Sequence, residues 1–314
     1  VGLILAVAAA LSVGQILFFL WSLSRSGCRI RLAACDFHLT RDILKYSIPM
    51  AVFTLVNALN RDMDKYLISA VSDTQTLAIY ANAAKVLPFD ILLIAFMTVL
   101  LPHITRQIAA KRYGDAVDTY RAYLEISYIS TALLACGVLA AAPEAMRLLS
   151  SEKYISGLPV FRIYIVSDIF HFANITLILT ASGRTKLLMR LGFLGLAANF
   201  VLNILFYRLM GFAGPALATL LVSLGLGITI LHFSAKELHT SIRGLFDCKY
   251  LLIFALECIG GTAVFSAARR WLETTQMHYL AVMIAVCAGY VLCVGLPNAR
   301  RFLHDLKKIS TLKA

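Results

Sequence analysis

The sequence predicts an all-α, polytopic membrane protein, and three observations carry that prediction. Of the 314 residues, 60% are hydrophobic and only 15% charged, against roughly half and a quarter in an average globular domain. Apolar stretches of about 20 residues recur along the chain, the length a helix needs to cross a hydrocarbon core of about 30 Å. The basic residues, whose excess gives a net charge of +12, fall mostly between those stretches. In a soluble protein that charge would point to nucleic acid. Here its distribution is a topology signal, and no nucleic-acid partner is expected.

The expected spans are 2–23, 46–71, 77–101, 121–142, 159–181, 190–209, 212–234, 250–268 and 279–297, about nine transmembrane helices. The connections are short, so consecutive spans run antiparallel in the lipid bilayer and no sizeable domain fits outside it. The first span begins at Val1 without the basic region or cleavage site of a signal peptide, and further sequence upstream is expected. Before the second, Thr40 followed by Asp42 suits the cap of a short lead-in helix. Pro49 then falls in the first turn of that span, where its missing N–H costs nothing. Pro102 and Pro143 sit at span ends. Asn199 and Asn203 share a helix face ahead of a Gly211-x-x-Gly214 turn and the small residues Ala216, Ala218 and Thr219, a pattern suited to close helix packing with amide hydrogen bonds.

Orientation follows from the 29 Lys and Arg residues. Twenty lie in one set of connections, five in the opposite set, and four (Arg61, Lys65, Lys85 and Arg162) inside spans. Basic connections stay on the cytoplasmic side. The N-terminus is therefore expected outside and the C-terminus in the cytoplasm, as an odd number of spans requires.

Chemistry-bearing motifs are few. The seven cysteines show no metal-binding or redox spacing and read as small apolar fillers and loop residues. No HExxH, GxSxG or phosphate-binding loop occurs. No catalytic residue, metal or cofactor is expected, and the chain is not expected to be an enzyme.

The unusual feature is the segment NALNRDMDKYLIS, residues 57–69, which places Arg61, Asp62, Asp64 and Lys65 inside an apolar span. Counting about 1.5 Å per residue from the outer ends of the spans sets Asp62 and Asp64 roughly 10–14 Å deep, Lys85 about 12 Å deep, Asp168 and His171 about 13–18 Å deep, and Asp90 slightly deeper. Residues of three spans thus converge on one layer. On the second span Asn57, Arg61, Asp64 and Lys65 share a face, with Asp62 turned about 100° away, and Asp168, His171 and Asn174 form a similar stripe on the fifth. A charge at that depth costs at least about 2.5–3.5 kcal/mol, so such groups face a bundle interior or a watery cavity. A polar substrate-binding cavity lined by Asn57, Arg61, Asp62, Asp64, Lys65, Lys85, Asp90, Asp168 and His171 is the functional expectation. The structural alternative is that Arg61 pairs with Asp64, and Lys85 with Asp62, to fix helix packing. Arg162 lies close enough to the outer interface to reach water. The charges nearly cancel, so an anionic ligand needs local asymmetry or positive groups from elsewhere.

LKYSIPMAVFTLVNALNRDMDKYLIS (44–69), IYANAAKVL (79–87), VLLPHIT (99–105), ASGRTK (181–186) and NFVLNILFYRLMGFAGPALATLLVS (199–223) together resemble the C-terminal part of the polysaccharide-transporter, or oligosaccharide flippase, family. That family belongs to a multidrug, oligosaccharidyl-lipid and polysaccharide exporter superfamily, which also holds drug/cation antiporters and peptidoglycan lipid flippases. The resemblance covers most of 40–235. It implies a two-lobe bundle of which 1–23 is the last helix of an N-terminal lobe otherwise missing, 24–45 a cytoplasmic connection, 46–235 a six-helix C-terminal lobe, and 236–314 two additional helices with a basic cytoplasmic tail. It also implies a bacterial inner-membrane protein of surface polysaccharide or lipopolysaccharide biosynthesis, moving an undecaprenyl-pyrophosphate-linked oligosaccharide outward by rocking lobes.

Within that frame Arg61, Lys65 and Lys85 are candidate headgroup or sugar contacts, and Asp62, Asp64 and Asp168 are orienting partners or sites for a coupling ion, Na+ or H+. One alternative is a cation-coupled multidrug antiporter of the same superfamily. Another is a membrane glycosyltransferase or polymerase, for which 143–158 offers only the acid pair Glu144 and Glu152. A third is an inactive fragment, because a bundle without its first lobe lacks one wall of the cavity.

Overall fold

The computed structural model describes residues 2–26, 37–85, 87, 91–171, 174–275 and 277–310. Among these the secondary structure is entirely helical: α1 (Gly2–Arg25), α2 (Phe37–Val71), α3 (Thr74–Ala83), α4 (Ile91–Ala109), α5 (Tyr113–Ala140), α6 (Ala142–Ser150), α7 (Leu158–Phe170), α8 (Leu177–Ala181), α9 (Thr185–Met210), α10 (Gly214–Glu237), α11 (Cys248–Glu273), α12 (Tyr279–Tyr290) and α13 (Leu296–Ser310). The chain divides into two compact units, Val1–Lys45 and Tyr46–Ala314. In the first, α1 displays large apolar side chains such as Leu11, Phe18 and Trp21.

Five described stretches are long and apolar enough to cross a membrane: Phe37–Val71, Tyr113–Ala140, Thr185–Glu237, Cys248–Glu273 and Tyr279–Lys307. The third is α9 and α10 with the turn between them, and the last continues α12 through a π-helical segment, Val291–Gly295, into α13. Gly211 closes α9 at φ +65°, a conformation open to glycine at no steric cost.

The structure departs from the expected spans in three places. Residues 77–101 form two helices, α3 and α4, because Ala84, Lys85 and Leu87 leave the helix, and Pro88 disfavours helical backbone at the residue before it. Residues 159–181 are likewise split into α7 and α8. There Asn174 Oδ1 accepts from the Thr176 amide at 3.2 Å and the Thr176 hydroxyl at 2.5 Å, an Asx-type turn that competes with helix. Third, Thr40 caps no separate lead-in helix, and Pro49 does not open one. Both lie inside the 35-residue α2, so Pro49 removes an interior hydrogen bond.

Backbone groups freed by the breaks find side-chain partners, as burial away from water requires. The Leu87 amide donates to Asp168 Oδ2 at 3.2 Å, and the Asn174 amide to the Tyr123 hydroxyl at 2.9 Å.

In the second unit α5 is the central post. Two thirds of its apolar window is buried (67%), against 11–22% for the other four candidate spans. One core packs Leu100, Ile104, Tyr120, Tyr123 and Ile178 around it. A second gathers Ile68, Tyr80, Met146, Phe161 and Ala216 from α2, α3, α6, α7 and α10. Gly157 lets the turn before α7 close onto α3, since a Cβ there would lie 2.7 Å from Ala83 Cβ.

Candidate functional site

The segment 57–69 lies on α2, and its four charged side chains meet different environments. Asp64 is fully buried. Tyr80 of α3 donates its hydroxyl to Asp64 Oδ2 at 2.7 Å, and Tyr164 of α7 donates to the same oxygen. The Lys65 amide donates to Oδ1 at 2.8 Å. One carboxylate therefore joins three helices through neutral donors.

Asp62 takes the Lys65 ammonium at 2.6 Å, both side chains partly exposed. Arg61 is exposed and has no hydrogen-bond or ion-pair partner among the described residues. The pairings foreseen as a packing alternative do not form. Lys65 stands one turn from Asp62 and pairs locally, while hydroxyl donors satisfy Asp64 without the desolvation of a second buried ion.

The other expected site residues are distributed around this knot. Asp168, one turn beyond Tyr164, is buried and receives the Leu87 amide at the break between α3 and α4. His171 ends α7, with Nδ1 3.0 Å from the Ser167 carbonyl oxygen. Lys85 turns to the C-terminus of α6, donating to the Leu149 carbonyl at 3.3 Å and the Ser150 hydroxyl at 3.2 Å, where a cation suits the helix dipole. Asn57 is half-buried and Asn174 exposed. Asp90 lies outside the described residues. Geometry thus joins Asp62, Asp64 and Lys65 in one neighbourhood and sends Lys85 elsewhere.

Three polar features were not foreseen from the sequence. Tyr80 and Tyr164 were hidden because a search for charges passes over hydroxyls, although a buried Tyr O–H usually needs a partner. Arg269 of α11 is buried between Glu144 of α6 at 3.2 Å and Glu273 at 2.7 Å. Burial holds the Glu144 carboxyl above its ordinary value against the pull of Arg269. Near the other end of α11, Arg301 reaches Glu125 of α5 at 2.9 Å and Asp247 at 2.7 Å, and lies 3.7 Å from the Tyr250 ring centre. Its hydrogen bond keeps the Asp247 carboxyl below the usual range. Arg121 donates from Nε to the Gly244 carbonyl at 3.1 Å.

Asn199 of α9 donates to Asn60 Oδ1 at 2.8 Å and accepts from Thr219 of α10 at 3.4 Å. The buried Asn203 amide has no partner among the described residues.

The helical bundle has known counterparts in fold. A MOP superfamily transporter from Pyrococcus furiosus aligns with TM-score 0.53 at 19% identity, over 85% of this chain and 66% of that one. A multidrug resistance MATE family transporter of the MOP superfamily, in an outward-facing conformation, aligns with TM-score 0.51 at 19% identity and the same coverages. The chain thus spans just under two thirds of each structure, and at that identity the likeness is one of fold. Among curated proteins no match is found. The family model described as "Lipid II flippase MurJ" matches residues 2–291, and the chain belongs to that family. The match falls within the superfamily that the motifs at 44–69 and 79–87 indicate, in its peptidoglycan-lipid branch.

Proposed function

We propose that this chain supplies the second lobe and the two following helices of a flippase that carries a lipid-linked, anionic-headgroup substrate across the bacterial inner membrane. Lipid II is the substrate named for the family. An undecaprenyl-pyrophosphate-linked oligosaccharide of surface polysaccharide synthesis is the class its motifs resemble. Both join a charged headgroup to an apolar tail, so both need a polar contact beside an opening toward lipid. In this reading 46–235 is the second lobe, 236–314 the additional helices, and the C-terminus cytoplasmic, as the distribution of Lys and Arg favours.

The supporting observation is Arg61. The charges on either side of it are neutralised locally, Asp62 by Lys65 and Asp64 by two tyrosines. Arg61 alone of the four is left exposed without a counter-ion among the described residues. A nearly neutral segment thereby acquires the asymmetry that an anionic headgroup requires, and a guanidinium offers it paired donors.

The test is a flipping assay with fluorescent lipid II and, separately, a lipid-linked oligosaccharide, in vesicles containing the complete protein. Arg61→Ala should lower flipping at least about tenfold, the effect of losing roughly 1.4 kcal/mol of contact, at unchanged protein level, with partial recovery in Arg61→Lys. Wild-type rates from Arg61→Ala on both substrates would rule the reading out.

A further inference from the structure

We propose that Glu257, backed by Asn298, binds the ammonium of an aminophospholipid head group at the lipid-facing edge of α11. The site concerns a lipid of the surrounding bilayer and does not depend on the flippase reading.

Glu257 is the sole charge between Tyr250 and Ala268. It stands on the candidate span with the least buried apolar window, 11%, and is itself exposed. Leu252, Ile253, Leu256 and Ile259 beside it are exposed as well. Charged groups at membrane depth ordinarily face a bundle interior or pair with a second charge. The buried carboxylates do so: Asp64 has three donors, and Glu125 and Glu144 each face an arginine. Glu257 does neither. Among the described residues its carboxylate accepts one hydrogen bond, from the neutral Asn298 Nδ2 to Oε2 at 2.8 Å.

Asn298 makes this a built site. It is buried, its Oδ1 accepts from the Tyr250 hydroxyl at 2.8 Å, and its Nδ2 also donates to the Val294 carbonyl at 3.0 Å. Turning the amide over would break all three bonds, so a donor is fixed on Oε2 and Oε1 is left open.

Depth decides what can reach that oxygen. Arg301, which takes Asp247 at the start of α11 at 2.7 Å, marks the charged edge of the span. Asn298 precedes it by three residues, about 4.5 Å along the helix. The Glu257 side chain leans toward the N-terminus of α11, and therefore toward the same edge. The carboxylate thus lies about one helical turn below the edge, within reach of a lipid head group.

Charge selects among head groups. Lys249, Ile253 and Glu257 follow one stripe of α11 at i, i+4 and i+8, and Lys249 is exposed with no ion-pair partner among the described residues. Its ammonium suits the phosphate that every phospholipid carries. A carboxylate repels the net negative head group of phosphatidylglycerol and finds no N–H on the trimethylated amine of phosphatidylcholine. The primary ammonium of phosphatidylethanolamine offers it both opposite charge and donors.

The experiment is native mass spectrometry of the purified complete protein in detergent, with phosphatidylethanolamine, phosphatidylcholine or phosphatidylglycerol of identical acyl chains added. The wild type should hold phosphatidylethanolamine at least about fivefold more tightly than either other lipid, as a hydrogen bond to a charged group allows. Glu257→Gln keeps the size of the side chain and the bond from Asn298, and should remove that preference. Lys249→Ala should weaken all three lipids alike and leave the preference in place. Equal retention of the three lipids by the wild type, or the same preference in wild type and Glu257→Gln, would overturn the proposal. A dimer that Glu257→Gln dissociates would give this face to a second copy of the chain and overturn it too. No flipping rate enters the readout, so failure of the Arg61 test leaves this result to stand or fall by itself.

Discussion

The Asp64 knot and the Arg269 clamp both tie helices together through a buried carboxylate, with different partners. At Asp64 the donors are two neutral hydroxyls and an amide on α2, α3 and α7. At Glu144 the partner is a full cation, Arg269 of α11, shared with Glu273. A carboxylate held by neutral donors is satisfied without burying a second ion. Removing one member of a buried ion pair leaves an uncompensated charge. The knot joins α2, α3 and α7 without a second buried ion, and the clamp holds α11 to α6 by a full ion pair.

The sharpest way to break the comparison is Arg269→Ala. It strands Glu144, 1% exposed, and should cost about 3–5 kcal/mol, read as a lower midpoint in thermal unfolding of the detergent-solubilised protein. The loss should depend on pH in a defined direction. The folded-state value of Glu144 is raised, so its contribution to stability is fullest below the ordinary value of 4.5 and shrinks as pH rises through the folded one. Acid should therefore partly rescue the variant.

Asp64→Ala comes next. It leaves two buried hydroxyls without their acceptor, each costing about 1–3 kcal/mol, for an expected total of about 2–6 kcal/mol. Tyr164→Phe should cost about 1–2 kcal/mol, since Tyr80 still serves the carboxylate. If Tyr164→Phe proved as damaging as Arg269→Ala, the difference between the knot and the clamp would fall.

Arg301→Ala should have a smaller effect than Arg269→Ala, about 1–2 kcal/mol: its side chain is 33% exposed, so water screens the pair with Asp247 and reaches the buried Glu125 once the guanidinium is gone. The Asp247 carboxyl lies below its ordinary value. The stability it contributes is present above 3.8 and lost as pH falls through the lower folded value, so the variant should flatten acid unfolding in that range. The smallest expected change is Asp73→Ala, which removes the cap on the Thr76 amide of α3 (3.0 Å) at an exposed position. It should fray that helix end, detectable by amide hydrogen exchange, without altering flipping.

Much of this protein was legible from composition and periodicity. Among the described residues six of the nine expected spans each follow one continuous helical stretch, because a 20-residue apolar run in a bilayer has few other ways to satisfy its backbone. The unusual character of 57–69 was also visible, since charges in an apolar run stand out one residue at a time. The breaks were only half visible: Pro88 and Asn174 are local signals, but hydropathy averaged over 20 residues passes across both. Partner choice was not visible at all. Arg61 and Asp64 share a helix face in sequence, and the fold turns one to solvent and the other to Tyr80 and Tyr164, 16 and 100 residues away. Likewise Arg301 counted only as a basic tail residue until tertiary packing set it against Glu125, 176 residues earlier. The sequence by itself determined which segments must be helices, because backbone hydrogen bonding in lipid is a local constraint. Only the tertiary structure decided which charges are neutralised and which remain open, because that depends on distances between helices that no spacing along the chain encodes.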